Sequence, residues 1–173
     1  MEQAAAKKHV VIYTEGACSG NPGTGGWSCI LKFGEHRKEL SGFMQETTVH
    51  RMALFAAISG LGALKEPCRV TLYSDSAYLV DAFQNQRIDA WKRSNWMNEN
   101  GSPVPDKDLW FILMAQTRRH DVRFLLLPEQ SVPPEGMRCS ELVKSAMAEW
   151  QVINSPHDDE GELITDSLVR NRS

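Results

Sequence analysis

The chain alternates short apolar runs with turn-forming residues, and that rhythm lays out its elements. Val10-Val-Ile-Tyr13 is β-branched and aromatic, as a strand prefers, and it leads to one acid, Glu15, where the strand is expected to end. Gly20-Asn-Pro-Gly-Thr-Gly-Gly26 is dense turn chemistry and predicts a glycine-rich hairpin loop. Trp27 to Phe33 alternates as a second strand, and Arg37 to Phe43 follows as a third, so the opening reads as an antiparallel meander. Thr47-Thr48 can cap a helix from about Val49 to Lys65, in which Met52, Phe55, Ile58 and Leu61 recur at helical spacing before Pro67 closes it. Arg69 to Ser74 is a fourth strand that again leads to an acid, Asp75, and Ser76 to Phe83 is a short helix.

From Gln84 to Pro105 the chain is polar, with Trp91 and Trp96 set among Lys92, Arg93 and several asparagines. Asp106 to Arg119 then reads as an amphipathic helix, Val122 to Leu127 as a strand and Glu135 to Trp150 as a last helix. Residues 1–8 are expected to be an N-terminal extension, 9–150 one domain and 151–173 a peripheral acidic tail, periodic only over Glu162 to Val169. The order predicts an α/β fold: a mixed five-stranded sheet, three antiparallel strands then two parallel, with helices on both faces. Glu15 and Asp75 then end neighbouring central strands, and ligands sit at the carboxyl ends of such strands.

Composition narrows the chemistry. A chain of 173 residues, 42% hydrophobic and 24% charged, suits one soluble domain. No apolar run approaches the roughly 18 to 20 residues of a membrane span, and Met1 to Lys8 has no signal-peptide core, so the cytoplasm is the expected location. Four cysteines without a CxxC pair argue against disulfides and structural zinc. The tail holds Asp158, Asp159, Glu160, Glu162 and Asp166 against Arg170 and Arg172, which is the chain's entire net charge of -3. Residues 1–150 therefore sum to zero, and tight grip on a phosphate backbone usually needs a positive excess. The glycine loop also lacks the Gly-Lys-Ser/Thr ending of a P-loop.

With these motifs in view, the chain resembles ribonuclease H of type 1, which cuts the RNA strand of RNA–DNA hybrids. The resemblance runs from about His9 to Trp150. It rests on Tyr13 to Gly26, Thr47-Thr48 with Arg51-Met52, Ser74-Asp-Ser-Ala-Tyr78, Trp91-Lys-Arg93, Asp108-Leu-Trp110 and Arg138-Cys139 with Glu141-Leu142. It implies a site of four carboxylates holding two magnesium or manganese ions, one activating water and one stabilising the leaving oxygen. Only part of that set is here. The first aspartate falls at Glu15, one methylene longer; the second acid falls at Ala53; the third is kept as Asp75; the fourth falls at Ser140; and the family's loop histidine falls at Gln130. Magnesium wants hard oxygen ligands in near-ideal octahedra at about 2.0–2.1 Å, so Glu15 and Asp75 are expected to hold metal weakly or not at all. Glu46 and Glu141 are candidate substitutes, but Glu141 is turned about 100° along its helix from the needed position.

The resemblance also implies contacts to nucleic acid: Cys18 and Asn21 to RNA 2′-hydroxyls, Thr48 to a DNA phosphate, and Trp91, Lys92 and Arg93 through a basic handle. The family's paired asparagines, however, have become Val49-His50, and a glutamine has become Ala77. In the handle Arg87, Lys92, Arg93 and Lys107 are matched by Asp89, Glu99, Asp106 and Asp108. Trp91 and Trp96 are suited to stacking on bases, though packing the handle onto the body is the favoured reading. His50 reads as a polar surface group and Cys139 as a small core residue. The expectation is a non-catalytic ribonuclease H-like domain that binds RNA–DNA hybrid or other nucleic acid weakly, or a protein partner. A low-activity metal-dependent hybrid ribonuclease and a protein scaffold without nucleic-acid binding are the alternatives.

Overall fold

The three opening strands form the expected meander. In a computed structural model that describes residues 6–154, β1 (His9–Gly20), β2 (Gly23–Phe33) and β3 (His36–Thr47) precede α1 (Val49–Gly62). Then come β4 (Arg69–Ser74), α2 (Ala77–Gln84), α3 (Arg87–Arg93), α4 (Lys107–Arg119), β5 (Asp121–Leu126) and α5 (Pro134–Asn154). The five strands lie in the order β3-β2-β1-β4-β5. β1 pairs antiparallel with β2 and parallel with β4, and β5 continues the parallel part. This is the mixed sheet that the sequence predicts. The expected N-terminal extension and acidic tail lie largely outside the described residues. Among the described residues, no helix is long and apolar enough to cross a membrane.

Two expectations are corrected. β1 does not end at Glu15: its ladder with β2 continues from Glu15↔Ser28 to Gly20↔Gly23, leaving only Asn21-Pro22 as the turn. What stops near Glu15 is the parallel pairing with β4, whose last pair is Thr14↔Ser74. The glycines beyond are strand residues chosen for close approach. A Cβ on Gly26 would lie 2.8 Å from Met147 and 3.2 Å from Val143, so α5 can settle onto β2 only because nothing projects there. The polar segment also contains a short helix, α3. Its Asp89 lies in the first turn and Lys92 and Arg93 in the last, where they suit the helix dipole, and Ile88 is buried beneath it.

One core lies between the sheet and α1, α2 and α4. Ile12, Leu54, Leu61, Leu72, Leu79, Trp110 and Leu113 have no exposed surface, and each contributes about 1.5–3 kcal/mol by burial. α5 covers the other face of β1–β3. At the start of α1 the Thr48 hydroxyl accepts from the Arg51 N–H at 3.1 Å, a cap of the expected kind. His120 closes α4 against the sheet: it is 4% exposed, and its Nδ1 accepts from the Cys68 N–H at 3.0 Å.

Candidate active site

Four elements meet where β1 parts from β4. Glu15 projects from β1, Asp75 follows the last residue of β4, Ala53 sits in the first turns of α1, and Ser140 lies in α5. Gly16 sets how close α1 comes, since a Cβ there would lie 2.5 Å from the Ala53 nitrogen and 2.6 Å from the Met52 carbonyl carbon. α5 is pinned by Ser28, whose Oγ donates to the Cys139 carbonyl at 2.9 Å, and by the Cys139 Sγ against the Tyr13 carbonyl at 3.6 Å. Cys139 is fully buried, as a core residue should be. The next residue, Ser140, donates its hydroxyl proton to Glu15 Oε2 at 2.7 Å. Four of the five catalytic positions that the resemblance singles out, 15, 53, 75 and 140, are thus brought together, but with two carboxylates among them.

The electrostatics follow from that composition. Burial raises the Glu15 carboxyl above its ordinary value, while the Ser140 hydrogen bond and the positive charge of Lys144 pull it back down. Crowding by protein atoms, then repulsion from Glu15, push Asp75 up to about 7, against hydrogen bonds from its own N–H and that of Gly16. Asp75 nonetheless keeps exposed surface, and solvent screens part of this effect. Lys144 lies one helical turn beyond Ser140 and so on the same face of α5. It was not singled out in the sequence, although that spacing was there to read.

The donor set does not fit a pair of magnesium ions. Among the described residues no three His, Cys, Asp or Glu side chains gather closely enough to share a metal ion. Glu141 is no substitute, because it pairs with Arg138 at 2.9 Å on the outer side of α5. Glu46 is exposed, and lines a groove near the hairpin turn with Pro22 and Trp150. Gln130 lies exposed on the segment between β5 and α5.

The candidate nucleic-acid contacts are more dispersed. Cys18 is half-buried on the last part of β1 and gives its thiol proton to the Thr47 carbonyl at 3.2 Å, while Asn21 is exposed at the turn. Thr48 is engaged in capping α1. Trp91 is not a free stacking platform. Its ring lies 5.1 Å from Trp110 and 5.7 Å from Trp96, and Trp96 is only 6% exposed. The packing reading of the handle is therefore the one this arrangement favours, although one side of Trp91 still lines an open groove with Arg87 and Asn98. Lys92 and Arg93 are exposed on α3. His50 is exposed and stacks on Tyr78, ring centres 4.2 Å apart. Arg51 was quoted only as part of a motif, yet it ties α1 to the handle's end through Asp106 at 3.1 Å and Asp108 at 2.8 Å.

Comparison with known proteins agrees with the fold. The family described as RNase H matches residues 7–148. A protein named Ribonuclease H from Symbiobacterium thermophilum is 50% identical over 141 residues, covering 82% of this chain and 96% of that protein. LC9-RNase H1, a type 1 RNase H with the type 2 active-site motif, superposes with a TM-score of 0.74 at 20% identity, over 85% of this chain and 75% of that one. LC11-RNase H1, solved in complex with RNA/DNA hybrid, gives a TM-score of 0.64 at 20% identity, over 82% and 98%. At such identities the two structures establish the fold alone.

Proposed function

The chain belongs to the ribonuclease H family, and from that premise we propose that it is a hybrid-directed member with a dismantled hydrolytic centre. It engages RNA–DNA hybrid through the β1–β2 hairpin, using Cys18 and Asn21, with the exposed Lys92 and Arg93 of α3 as peripheral phosphate contacts. The observation that carries this reading is the Ser140 hydroxyl bonded to Glu15 at 2.7 Å, at a place where the family's chemistry needs a metal-binding carboxylate. Ala53, tight against Gly16, offers no oxygen at all. In a catalytic unit of this kind one missing group removes several orders of magnitude in rate, and here two acids and the loop histidine are replaced. That a structural relative is solved with RNA/DNA hybrid supports hybrid as the ligand. Because residues 1–150 have no positive excess, binding is weak and salt-sensitive.

A second reading is a low-activity, metal-dependent hybrid ribonuclease built on Glu15, Asp75 and a single hydrated magnesium or manganese. The half-identical relative named Ribonuclease H, matched along nearly its whole length, favours it. On the comparisons taken alone this is the stronger of the two readings, whereas the donor set at the site favours the first. One pair of assays separates them. Hybrid binding at about 50 mM salt, without cleavage in either metal, fits the first reading. Cleavage that disappears in the double variant Glu15→Ala, Asp75→Ala establishes the second. Absence of both binding and cleavage at that salt refutes both.

A further inference from the structure

Away from the old catalytic centre, a cavity of about 220 Å³ opens between α2, α3 and α4. Gln86, in the left-handed conformation at φ 57°, turns the chain from α2 into α3 and lines this cavity. The floor is apolar: Ala82, Ile88 and Met114 are all buried. The rim is cationic, with Lys92 from α3 and Arg118 from α4 against one acid, Asp89. Among the described residues, neither Lys92 nor Arg118 enters an ion pair, whereas the nearby Arg87 is paired with Asp81 at 2.7 Å. Both cations lie in the last turns of their helices and offset the helix dipoles there, but that role requires no cavity between them.

We propose that this cavity is a binding site for a small organic anion, an apolar body resting on Ile88 and Met114 with its carboxylate or phosphate held between Lys92 and Arg118. The size sets the class. Pockets for drug-sized ligands run from about 300 to 1,000 Å³, so this smaller one suits an organic anion of roughly ten heavy atoms. The fork of Arg118 suits a planar carboxylate or a phosphate, and Lys92 adds a mobile second charge. The site is independent of Glu15 and Asp75, and it shares only Lys92 with the hybrid contacts proposed above.

The test uses benzoate as the anionic probe and benzyl alcohol as its neutral counterpart. Each is titrated into the full chain while the methyl signals of Ile88 and Met114 are followed by nuclear magnetic resonance. Benzoate is expected to shift both methyls saturably with a dissociation constant of about 1 mM, in line with the low affinity of so small a ligand. Arg118→Ala, an exposed position, is expected to weaken that binding about five-fold and leave the fold unchanged. Saturable benzoate binding that is weakened by Arg118→Ala and not matched by benzyl alcohol supports the site. A benzoate response that fails to saturate, that survives Arg118→Ala undiminished, or that benzyl alcohol reproduces overturns it.

Discussion

The sheet side and the helix side of the candidate site differ in what the fold demands of them. Glu15 and Asp75 ride on β1 and just beyond β4, strands locked by parallel pairing down to Thr14↔Ser74 and by the Thr14 hydroxyl on the Tyr73 carbonyl at 2.8 Å. Around them the backbone allows no freedom, as the contacts a Cβ would meet at Gly16 make plain. Ala53 and Ser140 project from helices that are held by other residues. Ala53 is 2% exposed and fills its place without a polar group to satisfy, and Ser140 finds Glu15 as an acceptor. An acid can therefore be lost from either helix without loosening the fold. Packing keeps the sheet side, and only chemistry keeps the helix side.

The largest expected effect comes from breaking that contrast on the sheet. Gly16→Ala drives a methyl into the backbone of Met52 and Ala53, and should destabilise by about 3 kcal/mol, read as a lowered denaturation midpoint at unchanged m-value. If it cost no more than a surface substitution, the claim that β1 and α1 are in obligatory contact would fail. On the helix side, Ser140→Ala should cost only about 1 kcal/mol, the net value of one hydrogen bond to Glu15. A loss as large as that of Gly16→Ala would erase the distinction between the two sides.

Protons sharpen the same comparison. At pH 8 Glu15 and Asp75 are both charged and crowded, and as pH falls from about 7 toward 4 the folded chain takes up a proton at Asp75 that the unfolded chain does not, which is stabilising. Asp75→Asn should therefore raise the melting temperature at pH 8 and lose that advantage by pH 5. A variant less stable than the natural chain at pH 8 would contradict the assignment. His120 works in the opposite sense: burial lowers it below 6.5, so its contribution is present above that pH and is lost on acidification. Comparing Asp75→Asn with the natural chain at each pH cancels the His120 effect. The smallest effect is expected from magnesium, which should leave the melting temperature almost unchanged, since a ligand stabilises only as far as the folded state binds it. A rise of many degrees would reveal a metal site that two carboxylates do not account for.

The fold was legible wherever a short-range signal coincided with a packing need: the alternation in β1, β2 and β4, the Thr48 cap, the apolar stripe of α1. Glu15 was misread as a strand end because the glycines after it look like a loop in sequence, whereas pairing with β2 and the approach of α5 turn them into strand. α3 was hidden because only Ile88 among its seven residues is buried, leaving too faint a periodicity to notice. At the site, the residue types at 15, 53, 75 and 140 were readable from the resemblance to ribonuclease H. The hydrogen bond between Ser140 and Glu15, the neighbouring Lys144 and the seating of Trp91 against Trp110 depend on how α5 and the handle lie on the body, which no local pattern encodes.

The most direct measurement is cleavage of an RNA–DNA hybrid in magnesium by the natural chain beside the triple variant Glu15→Asp, Ala53→Glu, Ser140→Asp. With the sheet-borne acid lengthened to Glu15 and both helix-borne acids missing, the natural chain should show no cleavage above background, and the variant should gain orders of magnitude. Cleavage by the natural chain at a rate matching the triple variant, abolished by Asp75→Asn, would contradict the account and establish this protein as a working hybrid ribonuclease.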